Sequence, residues 1–345
     1  MSANLLNYSG IITKVRALER NLMTLDDYQK IAGLETTTDF VTYLKTNQSY
    51  AYIFDDYDEN RLHRAQIEQL LTNSIHTEFA RIYSFASFEQ RKVLSLVFFR
   101  FEVNILKTCL LKVFNHDNTY DLLMFKDFFT AHSKLDVGKL IACSTIEEFI
   151  NALKDTEYYP LMSRLHSTNH NTFQEYGLQL DIYYFTRVWK LKDRLFKGKN
   201  RKVLTSIYGY EIDLLNLLWI YRSKKYFDID TGKILASIIP INYKLTREQV
   251  GKLVSAVSID EYMKILHTTF YAKLEESLEA ENIEKLYYKI FSQLYQGNCK
   301  RYRTSMAPVL YYIYQKEREL DLLTTALECI RYKLPPSETL KYIQI

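Results

Sequence analysis

The chain has 345 residues, 47% of them hydrophobic, which is enough for two or three buried cores of about 100–150 residues each. Its formal net charge of +4 is too small to indicate a nucleic-acid-binding protein. It contains only nine glycines and five prolines. This scarcity predicts helix nearly throughout and leaves little room for a phosphate-binding glycine-rich loop.

The first ten residues lack a basic flank followed by an apolar stretch, so no signal peptide is expected. No apolar run approaches the about 18–20 residues that a membrane span needs. We therefore expect a soluble or peripheral protein without a transmembrane segment. The four cysteines lack metal-site or redox spacing, which predicts reduced core residues in a cytosolic protein. They are Cys109, Cys143, Cys299 and Cys329.

Helix signals follow one another along the chain. The first helix is expected to begin near Asn7. Thr24 and the run Thr36-Thr37-Thr38-Asp39 are expected to supply the N-caps of two short helices. Each cap precedes acidic residues, which suit the positive end of the helix dipole. Equivalent caps are expected at Ser144 or Thr145, and at Ser258.

Three long helices are predicted where apolar residues recur at helical spacing. They include Ile67, Leu70, Leu71, Ile75, Phe79 and Ile82; Leu180, Tyr183, Tyr184, Val188 and Leu191; and Ile283, Leu286, Tyr287, Ile290 and Leu294. The polar stretches 115–119 and 228–233 are expected boundaries. They divide the chain into three helical segments, 1–118, 119–230 and 231–345.

A glutamate phrase occurs once in each segment, as Glu102-Val-Asn-Ile-Leu, Glu211-Ile-Asp-Leu-Leu and Glu319-Leu-Asp-Leu-Leu, at intervals of 109 and 108 residues. A second phrase lies upstream of each copy, centred on Phe40, Phe149 and Tyr262, at intervals of 109 and 113 residues. Two phrases with nearly one period predict three copies of one unit. The fold class is therefore all-α, with three tandem homologous domains in a pseudo-symmetric body, which is more often a shaped adapter than an enzyme.

On a helical wheel, the glutamate of each phrase falls inside the apolar arc, so Glu102, Glu211 and Glu319 are expected to face the core. Asp321 falls on the solvent side, and the other two copies are expected to repeat the pattern.

A buried carboxylate has to be paired or heavily hydrogen-bonded. A structural ion pair, copied by duplication, explains three such sites better than acid–base catalysis does. Arg16, Arg100 and Arg187 are candidate partners. If the partner is a buried cation, Glu211→Ala is expected to cost about 3–5 kcal/mol.

Two further patterns have structural explanations. His166 and His170 have a helical metal-ligand spacing, but they flank a loop-like run without a Cys or Glu ligand, so we expect no metal site. The stretch 197–202 is predicted to be a solvated basic loop, because it lacks a phosphate-loop pattern. The alternative is contact with acidic loops of a partner through Lys197, Lys199, Arg201 and Lys202.

The chain also resembles a known family over its whole length. The opening Tyr8 and Ile11–Leu22, the stretch Tyr210–Arg222 and the closing Lys316–Leu323 resemble the C subunit of the V-type and archaeal-type rotary ATPases. The eukaryotic equivalent is the d subunit of the vacuolar proton pump. Thr324 stands where the first two copies carry Lys107 and Asn216, so the three copies need not meet partners equivalently.

The resemblance implies a funnel-shaped, pseudo-threefold, all-helical protein without a catalytic site or cofactor. It implies a place in the central stalk of an ATPase or ATP synthase, peripheral on the cytoplasmic face of the membrane. The implied partners are the proteolipid rotor ring and the central shaft, a coiled-coil protein with its small companion. The implied role is mechanical coupling of the shaft to the ring for sodium or hydrogen ion transport, with no nucleic acid or small-molecule substrate.

Two alternatives come from other classes of protein. A stand-alone helical repeat scaffold that binds proteins is disfavoured, because scaffold repeats span about 34–47 residues and these span over a hundred. An all-helical enzyme that uses the core glutamates would need them open to solvent and to a ligand.

Overall fold

The computed structural model describes residues 2–115, 122–168, 172–227, 229–274 and 283–343. Within these ranges every regular element is a helix, which confirms the all-α prediction. Two short 3₁₀ helices, Leu122–Phe125 and Phe270–Leu274, accompany the α-helices. The α-helices are α1 (Ser2–Glu19), α2 (Leu25–Ala32), α3 (Thr37–Thr46), α4 (Ala51–Phe54), α5 (Arg64–Phe85), α6 (Phe88–Asn115), α7 (Lys126–His132), α8 (Val137–Ala142), α9 (Ile146–Ala152), α10 (Tyr159–Ser167), α11 (Phe173–Leu195), α12 (Gly198–Tyr226), α13 (Thr231–Ser237), α14 (Arg247–Ser255), α15 (Ile259–Leu266), α16 (Ile283–Arg301), α17 (Ala307–Arg331) and α18 (Pro336–Tyr342).

The same order of helices recurs in each predicted segment. Two short helices are followed by a short helical element and then by two long helices: α2 to α6 in the first segment and α8 to α12 in the second. In the third segment they are α14, α15, the 3₁₀ helix Phe270–Leu274, α16 and α17. This recurrence is what duplication of one unit would produce. The boundary at 118/119 lies outside the described residues, and the boundary at 230/231 coincides with the start of α13.

A hydroxyl cap fixes where the second short helix of each segment begins, and in the first two segments the capping is reciprocal. The Thr36 hydroxyl accepts from the Asp39 N–H (3.0 Å), and the Asp39 carboxylate accepts from the Thr36 N–H (3.1 Å). Thr145 pairs with Glu148 in the same way, so Thr145 and not Ser144 is the cap. Ser258 accepts from the Glu261 N–H. The three predicted caps are therefore confirmed, whereas α1 begins at Ser2, five residues before the predicted start.

The chain divides into two compact units that do not follow the sequence segments. One unit comprises Met1–Leu94, Asn104–Asn169 and Pro308–Ile345, and the other comprises Ser95–Val103 and His170–Ala307. A unit thus draws on more than one segment, because the short helices of one segment pack on the long helix of another.

This packing occurs three times. In the first unit, Phe40 and Leu44 of α3 share a core with Leu323 of α17. In the same unit, Lys112 of α6 donates from Nζ to the carbonyl oxygen of Ile141 at the end of α8 (2.6 Å). In the second unit, Lys224 of α12 donates in the same way to Val254 at the end of α14 (2.7 Å). A lysine at the end of a helix satisfies carbonyls that lack an intrahelical partner. Each long last helix therefore supports the short helices of a different segment.

A neutral histidine lies in the core of the first unit. His76 of α5 stacks on Phe128 (ring centroids 4.5 Å apart) and meets the edges of Phe125 and Phe129. Burial lowers the pKa of His76 to about 3, because the aromatic surroundings do not solvate a charged imidazole.

The pKa of His76 predicts acid sensitivity. In the unfolded chain, His76 binds a proton below its usual pKa of about 6.5. In the folded chain it binds that proton only below about pH 3, so acid favours the unfolded chain between these two values. The free energy of unfolding should therefore fall by about 2 kcal/mol between pH 7 and pH 5 through this residue. Urea unfolding at both pH values should show that His76→Phe reduces this loss by that amount. The same substitution at exposed His267 should not, and equal slopes for the two variants would contradict the prediction.

Candidate functional site

Glu319 of α17 lies in a closed polar site in the first unit. Its Oε1 accepts from Lys316 Nζ (2.7 Å) and from the Tyr50 hydroxyl (2.6 Å), and its Oε2 accepts from the Met23 N–H. Lys316 stands three residues earlier on α17, so both side chains share one helix face. The carboxylate and the ammonium are each only 4% exposed. Every charge in this site therefore has a partner, as a buried ion pair requires.

Tyr50, the residue directly before α4, is the third member of this site. Its hydroxyl accepts from Lys316 Nζ (2.8 Å) and donates to Glu319. Burial and the adjacent Glu319 charge raise the pKa of Tyr50 well above its usual value. The phenol therefore stays protonated and remains a hydrogen-bond donor to the carboxylate.

Glu211 of α12 is buried in the second unit and pairs with Arg100 of α6, one of the three candidate cations. Arg100 Nη2 lies 2.5 Å from Glu211 Oε1, and Arg100 Nε donates to the Tyr184 hydroxyl (3.3 Å). No described residue donates to the second carboxylate oxygen. Burial raises the pKa of Glu211, and Arg100 opposes the rise. The Arg100 side chain is 25% exposed, so this is not a pair with a fully buried cation.

Glu102 departs from the predicted pattern, because it is only half-buried. The side of α6 that packs in the second unit carries Phe99, against the ring of Tyr184, and Arg100, against Glu211. Two residues along a helix turn by about 200°, so Glu102 lies opposite Arg100, although it is three residues from Phe99 and lies nearer to that side. The three repeated glutamates therefore occupy three different environments.

Asp213 is the most heavily hydrogen-bonded carboxylate on α12, and the wheel did not predict this. It is 1% exposed. It accepts from the backbone N–H groups of Tyr243 (3.1 Å), Lys244 (2.6 Å) and Leu245 (2.9 Å), and from the Tyr271 hydroxyl (2.9 Å). Burial raises the pKa of Asp213, and these hydrogen bonds oppose the rise. Asp321, at the equivalent position of the third copy, is exposed as predicted.

Asp213 belongs to a stripe of three residues on α12 that holds the segment 239–245. Asn216 donates from Nδ2 to the Ile239 carbonyl oxygen (2.9 Å) and accepts from the Ile239 N–H (2.8 Å). Gly209 lies under the ring of Tyr243, where an added Cβ would meet ring atoms at 2.4 Å. Positions 209, 213 and 216 share one helix face. A glycine inside a long helix, four residues before an acidic one, was the sequence signal for this contact.

Gly209→Ala is expected to destabilise the chain by about 1–3 kcal/mol, because the methyl group overlaps the Tyr243 ring. Gly251→Ala is the matched control, since a Cβ there meets nothing within 4 Å and the change raises helix propensity. Urea unfolding of both variants measures the difference. Truncation of the ring in Gly209→Ala/Tyr243→Ala should cost less than the two single changes combined. Full additivity would contradict the contact.

The buried carboxylates share one feature, which is that each joins different sequence segments. Glu319 of the third segment holds Met23 and Tyr50 of the first. Glu211 of the second holds Arg100 of the first. Asp213 of the second holds the 243–245 amides of the third. Carboxylates that are buried and already occupied by protein donors stabilise junctions and are poorly placed to exchange protons with a substrate.

The predicted basic loop is a helix end. Helix α12 begins at Gly198, whose φ of +59° suits glycine, and Lys197 is its N-cap. The four basic residues proposed for partner contact, Lys197, Lys199, Arg201 and Lys202, are all exposed. Of the two histidines with metal-ligand spacing, His166 lies with its Nε2 3.5 Å from Glu147 Oε1. His170 lies outside the described residues.

These features define an all-helical protein whose buried polar sites hold the structure together. No helix within the described ranges combines the length and apolar character needed to cross a bilayer. The sequence profile of the family described as ATP synthase (C/AC39) subunit matches residues 11–342, and the chain belongs to this family. Members are structural rather than catalytic subunits of ATP synthase, which confirms the resemblance and the prediction that this chain is not an enzyme.

Curated relatives match over nearly the full length of the chain. The C subunit of the A-type ATP synthase of Archaeoglobus fulgidus is 24% identical, over 96% of this chain and 94% of the relative. The protein of the same name from Methanosarcina barkeri is 24% identical, over 91% of this chain and 86% of the relative. That from Methanocaldococcus jannaschii is 22% identical, over 98% of this chain and 86% of the relative.

Proposed function

We propose that this chain is the central-stalk adapter of its rotary complex, joining the central shaft to the proteolipid rotor ring on the cytoplasmic face of the membrane. In this role it transmits torque and performs no chemistry. The three segments are also proposed to surround a pseudo-threefold axis.

The observation that carries the proposal is the buried carboxylate at each of three junctions between segments. A torque-transmitting body has to resist shear between its parts. Ion pairs and multiple hydrogen bonds such as those of Glu319 and Asp213 fix orientation, because they are directional and lose their energy when displaced. Long helices and few glycines add stiffness within each segment.

The alternative from the sequence, a stand-alone protein-binding scaffold, is disfavoured by membership of the ATP synthase (C/AC39) subunit family. It predicts a chain that is stable and functional without an ATP synthase. The adapter predicts that the tagged chain, purified from its source membranes in mild detergent, brings with it a coiled-coil shaft protein and a proteolipid in constant ratio. Purification with neither of them would exclude the adapter and favour the scaffold.

A further inference from the structure

Nine exposed Lys and Arg side chains lie at one end of the second unit, and we name them the basic cluster. They come from the end of α11, the start of α12, the end of α16 and the turn before α17. They are Lys190, Arg194, Lys197, Lys199, Arg201, Lys202, Lys300, Arg301 and Arg303.

The consecutive helices α11 and α12 form one helical hairpin, and α16 and α17 form another; hydrogen bonds between these two hairpins hold the basic cluster together. Lys199 Nζ donates to the Thr304 hydroxyl (3.0 Å), and the Met306 N–H donates to Asn200 Oδ1 (3.2 Å). About two turns further along α12, Ser206 accepts a hydrogen bond from Asn298 of α16 (3.1 Å). Two stretches that are about a hundred residues apart in sequence therefore form one surface.

The charge of the chain is concentrated here. Residues 190–206 and 296–307 contain ten Lys and Arg and a single acid, Asp193, which gives them a net charge of +9. Because the whole chain carries +4, all its other residues together carry −5. The modest net charge thus conceals a strongly polarised molecule.

Few of these cations serve the fold. Arg201 pairs with Asp193 (2.7 Å), whereas the other eight have no carboxylate partner among the described residues. The first turn of α12 contains no acidic residue, and cations at a helix N-terminus are destabilising. Repulsion among nine neighbouring cations adds to this cost. Local features that lower stability without a structural benefit are typical of functional surfaces.

We propose that the basic cluster docks on an acid-rich surface of a neighbouring protein, with its Arg side chains binding carboxylates through paired N–H groups. The cations project from fixed helix ends, which suits a fixed pattern of carboxylates. A lipid-binding surface would combine them with several large exposed apolar side chains, but here Leu195 alone is clearly exposed (42%) and Phe196 is buried. That the neighbour belongs to the same rotary complex rests on the proposed function.

The test uses a variant that removes four cluster charges without touching the contacts that join the hairpins. It is Lys197→Gln/Lys202→Gln/Lys300→Gln/Arg303→Gln. The matched control removes four exposed charges elsewhere. It is Lys154→Gln/Lys233→Gln/Lys264→Gln/Lys341→Gln. Each chain is titrated against the remaining subunits of the complex, purified without it, at about 50 mM and about 300 mM KCl, where the Debye lengths differ more than twofold.

The cluster variant should bind about tenfold to a hundredfold more weakly than wild type at the lower salt, with a shallower salt dependence. The control should bind like wild type. The cluster variant should unfold at wild-type urea concentrations or higher, and the control at wild-type concentrations or slightly lower, because Lys264 and Lys341 lie in the last turns of their helices. Equal binding by all three chains would overturn the docking surface while leaving the adapter intact. Failure of the wild-type chain itself to bind would contradict the adapter.

Vesicles of phosphatidylcholine with about 30% phosphatidylserine serve as the second probe. The wild-type chain should not bind them more than the cluster variant does. Charge-dependent vesicle binding, combined with unchanged binding to the complex, would assign the surface to the membrane and refute the protein partner.

Discussion

Glu319→Ala is expected to lower the free energy of unfolding by about 3–5 kcal/mol, because it leaves the Lys316 ammonium buried without its counter-ion. The Tyr50 hydroxyl and the Met23 N–H lose their acceptor as well. Urea unfolding of the full chain at neutral pH measures the loss.

A double variant that removes both the Glu319 and the Lys316 charge distinguishes two causes of destabilisation, which are the burial of an unpaired ammonium and the loss of side-chain packing. Glu319→Leu/Lys316→Met should recover most of the stability, since apolar replacements for a buried ion pair are often neutral or stabilising.

Glu211→Ala should cost less than Glu319→Ala, about 1–3 kcal/mol, because Arg100 reaches solvent once its partner is gone. A loss below about 1 kcal/mol for Glu319→Ala would show that this ion pair does not stabilise the junction between segments.

Asp213→Ala is expected to cost about 3–5 kcal/mol by a different mechanism. Three backbone N–H groups, of Tyr243, Lys244 and Leu245, lose their acceptor, and each such loss at a buried site costs about 1–3 kcal/mol. The Tyr243 and Lys244 hydrogen bonds are only partly buried, so water can replace part of what is lost and the total stays below the simple sum. The free energy of unfolding gives the magnitude, and hydrogen exchange at these three amides gives the location.

Asp321→Ala is the control for Asp213→Ala, because the same repeat position is exposed in the third copy. Its effect should stay within about 0.5 kcal/mol. Asp213→Asn keeps one acceptor oxygen, so its loss of unfolding free energy should lie between those of Asp321→Ala and Asp213→Ala. If Asp213→Ala left exchange at residues 243–245 unchanged, the segment would be held by Asn216 and the Tyr243 contact alone.

Features encoded within one helix were predictable from the sequence. Thr36, Thr145 and Ser258 cap their helices because a hydroxyl three residues before a carboxylate satisfies free N–H groups with no help from the rest of the fold. The burial of Glu211 and Glu319 follows from their position on the apolar face of their helices. Such features depend on angles along a single helix.

Features that depend on a second segment were not predictable in the same way. Asp213 is buried because the segment 239–245 covers a helix face that the wheel assigns to solvent. Glu102 is half-buried, and the α6 residue that pairs with buried Glu211 is Arg100, two positions earlier. The basic stretch 197–202 forms a larger surface with residues 300–306, and this contact between distant segments is not visible in the sequence. Repetition in sequence thus predicted repeated helices but not equivalent contacts.

Coupling between ATP hydrolysis and ion transport, in vesicles that contain the complex with or without this chain, tests the adapter function most directly. With the chain present, added ATP should drive ion movement. In its absence ATP hydrolysis should continue, ion movement should cease, and the shaft should separate from the proteolipid ring. Undiminished ion transport by an intact ring–shaft junction that lacks this chain would contradict the account.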